Sequence, residues 1–322
     1  MRKEGEDNIQ GWEKKNLLGI KDLSCKEIEM IFQLATSFKE LSQREVKKVP
    51  TLRGKTVITL FFESSTRTKV SFELAAKRLS ADVLNFSSSM SSLNKGETII
   101  DTIKNLESYH PDVLVVRVGY SSCLSRLRRY TKAGIINAGE GNNEHPTQAL
   151  LDMFTVKEIK GKLTDLNVLI VGDIKHSRVA RSNIFGFSKF SSRVRICAPP
   201  TLIPYQFHRL GVEIFYNLDE AIEDADVIIM LRMQRERQKS SFLPSLREYV
   251  ERFSLTPQRL RRVKKNCLIM HPGPINWDVE INSQLKERLH PLILKQVENG
   301  LAIRMAVLYL IGVGQREYEN NN

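Results

Sequence analysis

The sequence predicts an α/β fold of two doubly wound domains, each a parallel sheet covered by helices. Apolar, β-branched segments alternate with helical ones along most of the chain, which is typical of parallel sheets with helical crossovers. The length of 322 residues favours two domains, because single cores stop growing near roughly 250–300 residues. A hydrophobic content of 41% and a charged content of 27% are typical of a soluble globular protein.

Each predicted element rests on a local pattern. Runs of β-branched and other apolar residues predict strands at 56–62, 83–86, 111–120, 135–139, 167–171, 194–197, 212–216, 226–231 and 267–270. Helices are predicted at about 25–41, from 65 or 66, at 98–106, from 146, from 177 and at 291–313. Ser24 caps the first of these, and Pro146 suits the first turn of the fourth.

The formal net charge of +12 permits a nucleic-acid partner, an anionic membrane or a small anionic substrate. The densest basic runs, at 126–129 and 259–265, lack the interleaved aromatic residues of single-strand binders. We interpret both as solvated faces and expect no nucleic-acid partner. No apolar run approaches bilayer length and the N-terminus has no apolar leader core, so we expect no membrane association and a cytoplasmic protein.

The four cysteines are far apart and form no C-x-x-C pair, so neither zinc nor another metal is expected. Cys197 and Cys267 lie in apolar runs and are predicted to be reduced, buried thiols. The segment around Gly172 superficially suggests a dinucleotide fold but has one glycine where the fingerprint needs three. No cofactor is therefore expected.

The stretch from 56 to 79 predicts a strand, a turn and a helix that together suit a phosphate. A helix beginning at Ser65 or Thr66 presents unpaired N–H groups and a partial positive charge. Thr68 adds a hydroxyl, and the planar fork of Arg67 can hold two phosphate oxygens. The alternative, an ordinary N-cap followed by a solvated arginine, stays open on spacing alone. Val70 and Leu74 are predicted on one apolar face of this helix, with Phe72, Ala75, Ala76 and Leu79 close by.

Other polar residues follow predicted strands. Arg117 lies near the end of one strand, where ligands of open α/β sheets bind. His145 and Gln148 lie at the start of the helix that Pro146 begins, facing the same crevice. By pattern alone, Lys95 is a surface lysine and His145 a structural histidine.

Five stretches together resemble the carbamoyltransferase family, in the form that acts on aspartate. They are ESSTRTKVSFELAAKRL from 63, SSLNKGETIIDT at 91–102, HPTQALLD at 145–152, HSRVARS at 176–182 and LRMQRER at 231–237. The resemblance runs from about residue 17 to 314, nearly the whole chain. It implies a transferase that moves the carbamoyl group of carbamoyl phosphate to L-aspartate, in pyrimidine biosynthesis.

The resemblance also implies roles for individual residues. The carbamoyl phosphate ligands would be Ser65, Thr66, Arg67, Thr68, Arg117, His145, Gln148, Pro272, Gly273 and Pro274. Among these Arg67, Thr68, Arg117 and His145 would be catalytic. The aspartate ligands would be Ser91, Lys95, Arg178, Arg232 and Gln234. Two guanidiniums suit a dicarboxylic amino acid and repel the cationic side chain of ornithine.

The family division places a carbamoyl-phosphate domain at 1–157 and an aspartate domain at 158–290, joined by helices and sharing one cleft. A C-terminal helix at 291–318 would return to the first domain. The resemblance further implies a homotrimer in which Ser91 and Lys95 serve the adjacent subunit's site. A regulatory chain or a dihydroorotase is a possible further partner.

Two departures from the family pattern stand out. Ser64 replaces a frequent proline, and Trp277 stands where many relatives have arginine, so no role is assigned to Trp277. The alternative of a transcarbamylase for ornithine or another amino acid would call for an H-C-L-P stretch, whereas this chain reads H-P-G-P at 271–274. A non-catalytic anion-binding protein would be expected to lack the phosphate residues, which are intact.

Overall fold

The structure, a computed structural model, describes residues 11–87, 96–234 and 245–320. The chain divides into two compact units. The first comprises the described residues of Met1–Leu150 and Asn299–Asn322, and the second those of Leu151–Glu298. Each unit is built on its own parallel sheet.

The elements follow one another as strands and helices. In order they are α1 (Cys25–Ser42), β1 (Thr56–Phe61), α2 (Thr66–Arg78), β2 (Asp82–Ser87), α3 (Ile99–Glu107), β3 (Val113–Val118), α4 (Leu124–Leu127), β4 (Gly134–Glu140), α5 (Pro146–Lys160), β5 (Asn167–Val171), α6 (Arg178–Lys189), β6 (Arg193–Cys197), β7 (Glu213–Phe215), α7 (Leu218–Ala221), β8 (Val227–Met230), α8 (Leu246–Phe253), α9 (Pro257–Arg262), β9 (Leu268–Met270) and α10 (Lys286–Asn320). Short 3₁₀ segments lie at Pro50–Leu52, Pro200–Leu202, Tyr205–Leu210 and Ser283–Leu285.

The first unit has the strand order β2-β1-β3-β4, with every pair parallel. One buried cluster joins side chains of β1, β3 and β4 to those of α3 and α4, among them Ile58, Val116 and Ile103. The second unit has the order β7-β6-β5-β8-β9, again with parallel pairs only. Its central strands β5 and β8 are buried almost throughout. The α/β prediction with two parallel sheets is therefore confirmed.

All nine predicted strands are present, most with ends shifted by one or two residues. The strand expected at 111–120 is shorter, because pairing with β1 and β4 is confined to Val113–Val118. Helix starts are confirmed at α1, where Ser24 makes a capping box with Glu27, and at α5, which begins at Pro146. These are the starts with the clearest local chemistry.

The apolar face predicted for α2 is wrong at Val70 and Leu74, which are 55% and 40% exposed. The buried stripe of α2 instead runs through Phe72, Ala75 and Ala76. At 3.6 residues per turn, positions two residues from Phe72 point to the opposite side of the helix. Period alone could not decide which of the two stripes faces the sheet.

The last helix begins earlier than predicted. α10 starts at Lys286, so Pro291 lies inside it and not at its first turn. Of the five residues 286–290 before Pro291 only Leu289 is apolar, which is why the sequence placed the start too late. The whole segment Ser283–Gly314 is long and apolar enough to cross a membrane by composition, contrary to expectation, but 72% of its apolar window is buried inside the protein.

Contacts within the first unit show that the later part of α10 packs against α1 and α2. Asn299 accepts a hydrogen bond from the Lys39 ammonium at 2.7 Å, and Tyr309 packs edge-on against Phe38 of α1. The Arg304 guanidinium lies over the ring of Phe72 of α2. This part of α10 is a core helix of its unit.

The four cysteines are free thiols. Cys197 is buried as predicted, and burial raises the pKa of its thiol to about 12. Cys267 is only partly buried, although burial likewise raises its pKa to about 12. Both thiols are therefore protonated at neutral pH.

Candidate active site

In each unit the candidate site residues lie at the carboxyl edge of the sheet. The strand order of the first sheet reverses between β1 and β3, and that of the second between β5 and β8. Crevices form where neighbouring strands send their connections to opposite sides of a sheet. The residues predicted from sequence follow these strands, so the topology of each unit gathers its own set.

The predicted phosphate cradle lies at the start of α2. Ser65 is the N-cap residue, yet its side chain makes no capping hydrogen bond. Its Oγ instead donates to Oγ1 of Thr68, 2.9 Å away. Thr66 and Arg67 are exposed, whereas Thr68 is buried. A helix start without a side-chain cap presents its N–H groups to an anion, which favours the cradle over the ordinary N-cap.

Arg117 is the penultimate residue of β3, and its guanidinium is held on two sides. Nη1 donates to the carbonyl oxygen of Ala138, 3.1 Å away, and Nη2 lies 3.3 Å from Oε1 of Glu63. The side chain is only 11% exposed. Arg117 is therefore oriented by residues of the turn after β1 and of β4. These are the two strands that flank β3 in the sheet.

His145 and Gln148 are buried at the start of α5. The turn before them is closed by Glu140 N–H, which donates to the Glu144 carbonyl at 3.0 Å. The His145 carbonyl accepts the Gln148 N–H at 3.1 Å as the helix begins. The structure thus brings Ser65–Thr68, Arg117, His145 and Gln148 to three adjacent strand ends of one sheet.

In the second unit, Arg178 is the first residue of α6 and is 3% exposed. Ser177 caps this helix by accepting the Ala180 N–H at 3.2 Å. The preceding turn needs Gly172, whose φ is +119°. A Cβ there would lie 3.0 Å from the Tyr249 hydroxyl and 3.1 Å from the Leu231 carbonyl.

Two buried carboxylates hold the segment that carries Arg232 and Gln234. Oδ2 of Asp173 accepts the Gln234 N–H at 3.2 Å, and Oε1 of Glu280 accepts the Met233 N–H at 2.8 Å. Both acids are fully buried. Successive backbone amides are therefore anchored directly after Arg232, which fixes the direction of this segment.

Each carboxylate also holds a second loop. Oδ1 of Asp173 accepts the His176 N–H at 3.2 Å and lies 2.8 Å from its Nδ1, two residues before Arg178. The Glu280 carboxylate accepts the backbone N–H of Asn276 at 2.7 Å and its side-chain amide at 2.8 Å. Burial raises the pKa of the Tyr249 phenol, and the carboxylates of Glu280 and Asp173 add to this shift.

The stretch at 271–274 follows β9. His271 is buried, its Nδ1 accepts the Gly273 N–H at 2.8 Å, and its Nε2 lies 3.8 Å from Glu280. Pro272 and Gly273 are half-buried, and Pro274 follows a cis peptide bond and is exposed. The backbone of Trp277 bridges to Ile281. These contacts assign no chemical role to the Trp277 side chain.

Sequence reasoning missed the buried acids Asp173 and Glu280, and the partner of Arg117, Glu63. The available signal was an acidic residue directly after a strand, as at Asp173, but nothing in the pattern gives its backbone partners. The predicted ligands Ser91 and Lys95 lie outside the described residues. Across the described part of the chain, no three His, Cys, Asp or Glu side chains are placed to hold a metal ion.

Comparison with known proteins assigns both halves of the chain. The family model for the aspartate/ornithine carbamoyltransferase carbamoyl-P binding domain matches residues 15–158. The model for the Asp/Orn binding domain matches residues 164–311. Together they cover most of the sequence.

Named relatives match along nearly the whole chain. The aspartate carbamoyltransferase catalytic subunits of Syntrophus aciditrophicus and Syntrophobacter fumaroxidans are each 54% identical to it. These matches cover 93% and 94% of this chain and 98% and 99% of the relatives.

A solved structure gives the same result. Aspartate transcarbamoylase from Trypanosoma cruzi, in complex with carbamoyl phosphate and aspartate, has a TM-score of 0.85 at 30% identity, covering 94% of this chain and 98% of that one. With both domain models matched and close relatives aligned end to end, this chain belongs to the aspartate/ornithine carbamoyltransferase family.

Proposed function

We propose that this protein transfers the carbamoyl group of carbamoyl phosphate to the amino group of L-aspartate. The products are N-carbamoyl-L-aspartate and phosphate, and the reaction belongs to de novo pyrimidine synthesis. The observation that carries the choice of aspartate is the pair Arg178 and Arg232, which follow the two strands at the switch point of the second sheet. Two guanidiniums match two carboxylates. The relatives named above, aspartate carbamoyltransferase catalytic subunits, support the same choice.

In this proposal the first unit binds carbamoyl phosphate. The start of α2 holds the phosphate through backbone N–H groups, hydroxyls and Arg67. Arg117, His145 and Thr68 stabilise the negative charge that develops on the carbonyl oxygen. By the family resemblance, Gln148 and the backbone oxygens of Pro272 and Gly273 accept hydrogen bonds from the carbamoyl NH₂ group, and Pro274 is a further carbamoyl phosphate ligand.

The second unit supplies the grip on aspartate, with Arg178, Arg232 and Gln234 as ligands. The aspartate nitrogen attacks the carbonyl carbon, a C–N bond forms and the bond from carbon to the phosphate oxygen breaks. The departing phosphate accepts the amine proton. No side-chain nucleophile is needed, so positioning and charge complementarity supply most of the rate.

We further propose a cytoplasmic homotrimer in which Ser91 and Lys95 of one subunit complete the neighbour's site. Val70 and Leu74, two apolar side chains exposed four residues apart on α2, support a contact with another subunit. Remixing Arg67→Ala with Lys95→Ala tests the shared site. Each shared site needs an intact Arg67 from one subunit and an intact Lys95 from its neighbour. When the two variants are mixed in equal amounts, each subunit is of the required type half of the time, so about one quarter of the sites contain both intact residues. Mixed trimers that stay inactive would contradict sharing.

A regulatory chain or a dihydroorotase is a possible partner, to be sought by copurification.

The proposed activity is tested by one assay of the purified protein. Carbamoyl phosphate is supplied with either aspartate or ornithine, and both phosphate release and the carbamoylated product are measured. We expect turnover with aspartate only. Turnover with ornithine alone would overturn the assignment, and turnover with neither would favour a non-catalytic anion-binding protein.

A further inference from the structure

The N-terminal segment at 16–20 lies alongside β4 in the first unit. Leu17 N–H donates to the Ile135 carbonyl at 2.8 Å, and Asn137 N–H donates back to the Leu17 carbonyl at 2.9 Å. The Asn16 side chain accepts the Ile135 N–H at 2.8 Å. The segment therefore extends the sheet by a short parallel bridge beyond β4, the strand that leads to His145.

The last residue of this segment, Ile20, contacts Glu144, the residue before His145. Glu144 is 1% exposed, and its Oε2 accepts the Ile20 N–H at 2.7 Å. The Glu144 carbonyl accepts the Glu140 N–H at 3.0 Å and the side-chain amide of Asn137 at 3.3 Å. The same amide donates to Leu18 at 2.7 Å. The peptide plane between residues 144 and 145 is thus fixed through the Glu144 carbonyl, and the Glu144 side chain through its carboxylate.

Gly19 leaves the space that the Glu144 carboxylate occupies. A Cβ at this buried position would lie 2.3 Å from Oε1 and 2.8 Å from Cδ of Glu144. Gly19 is not among the glycines with positive φ, so its backbone would accept alanine without strain. An alanine at 19 would therefore act by displacing the carboxylate.

We propose that Glu144, held by the segment at 16–20, is a positioning residue for His145. The inference rests on the proposed function, in which His145 donates to the carbamoyl oxygen. A donor to a developing oxyanion is effective only when its direction is set before the reaction, and small displacements are costly. Glu144 has no contact of its own with the reacting atoms in this scheme, so its effect passes through His145.

The central experiment is Gly19→Ala in the full-length enzyme. We expect kcat to fall about tenfold, from the displacement of one oxyanion donor, with the KM for aspartate unchanged. The same substitution is then made in an enzyme that already carries His145→Ala. There we expect Gly19→Ala to lower kcat less than twofold, since the donor that it would misplace is gone.

A second pair of variants covers the case in which Gly19→Ala does not fold. Glu144→Ala should reproduce the loss of kcat, whereas Glu144→Gln keeps an oxygen that accepts the Ile20 N–H and should restore most of it. The double variant Gly19→Ala/Glu144→Ala should be no slower than Glu144→Ala, because the clash requires the carboxylate.

Asp112→Asn is the matched control. The Asp112 carboxylate accepts the Thr56 N–H at 2.8 Å, much as Glu144 accepts that of Ile20, but it lies at the amino ends of β1 and β3. The kcat of the Asp112→Asn enzyme should equal that of the wild type.

The outcomes separate the two claims. An equal loss of kcat from Gly19→Ala with and without His145, or a folded Gly19→Ala enzyme with wild-type kcat, overturns the positioning role. A wild-type enzyme that does not carbamoylate aspartate overturns the proposed function, and this inference with it.

Discussion

The candidate site residues of the two units are supported in different ways. In the first unit, Thr66 and Arg67 are exposed at a helix start whose N-cap side chain makes no capping bond. In the second, Arg178 is buried, and the segment carrying Arg232 is anchored by the carboxylates of Asp173 and Glu280. One region rests on a helix start without a side-chain cap, and the other fixes its loops with internal acids.

The difference follows from what each region is proposed to bind. A helix N-terminus already points several N–H groups in one direction, so a phosphate needs little further support. A guanidinium on a loop has many rotamers and recognises a carboxylate only in a defined plane. Anchoring the backbone beside it removes part of that freedom before the ligand arrives. Four variants test this contrast.

Arg67→Ala should give the largest effect. We expect kcat to fall about 100- to 1,000-fold, because one charged ligand of the leaving phosphate is lost. The free energy of unfolding should change by less than about 0.5 kcal/mol, since Arg67 is exposed. Steady-state kinetics and urea denaturation measure the two quantities. Lys77→Ala, at an exposed cation in the last turn of α2, is the control and should be neutral in both. A normal kcat would make Arg67 a solvated helix-start residue.

Glu280→Ala should affect stability as well as activity. It leaves three N–H donors, one of the buried Met233 and two of the half-buried Asn276, without the carboxylate that they share, so the free energy of unfolding should fall by about 3 kcal/mol. The KM for aspartate should rise at the same time. Glu223→Ala, at an exposed ion pair with Arg262, is the matched control. Equal losses in the two variants would show that burial of the acid is irrelevant.

Asp173→Asn should change the KM for one substrate and not for the other. Its carboxylate holds the backbone at Gln234 and His176, both in the unit proposed to bind aspartate. We expect the KM for aspartate to rise about tenfold, as expected for about 1.4 kcal/mol of lost orientation, with the KM for carbamoyl phosphate unchanged. Initial rates with each substrate varied in turn measure both values. A parallel rise in the two constants would mean a general disturbance of the fold.

Asp219→Asn should give the smallest effect and test whether the acids of the second unit matter beyond the site. The hydrogen bonds from Arg259 lower the pKa of Asp219. Because the folded-state pKa is depressed, the stabilisation is present above the unfolded-state pKa and is lost as the pH falls through the folded-state value. The side chain is 36% exposed, so we expect only about 0.5 kcal/mol at neutral pH. Thermal unfolding of both proteins at neutral and acidic pH should show the difference shrink on acidification. A constant difference would exclude the ion pair as its source.

Much of this architecture could be predicted from local pattern. The strand β5 was bounded correctly because its apolar run is continuous, and α5 began as expected because Pro146 suits a first helical position. The start of α10 was misplaced because its first turn is polar. The face of α2 was misjudged because Val70 and Leu74 are as apolar as the residues it buries.

The strand–helix alternation, the residues that follow the strands and the family resemblance can all be predicted from short contiguous stretches of sequence. The strand orders that gather those residues at switch points depend on the folded chain, as does the pairing of Asp173, Glu280 and Glu144 with distant backbone amides. Those pairings join residues between 47 and 124 positions apart. A backbone N–H is the same donor at every position except proline, so no residue type marks which amide a buried carboxylate will meet.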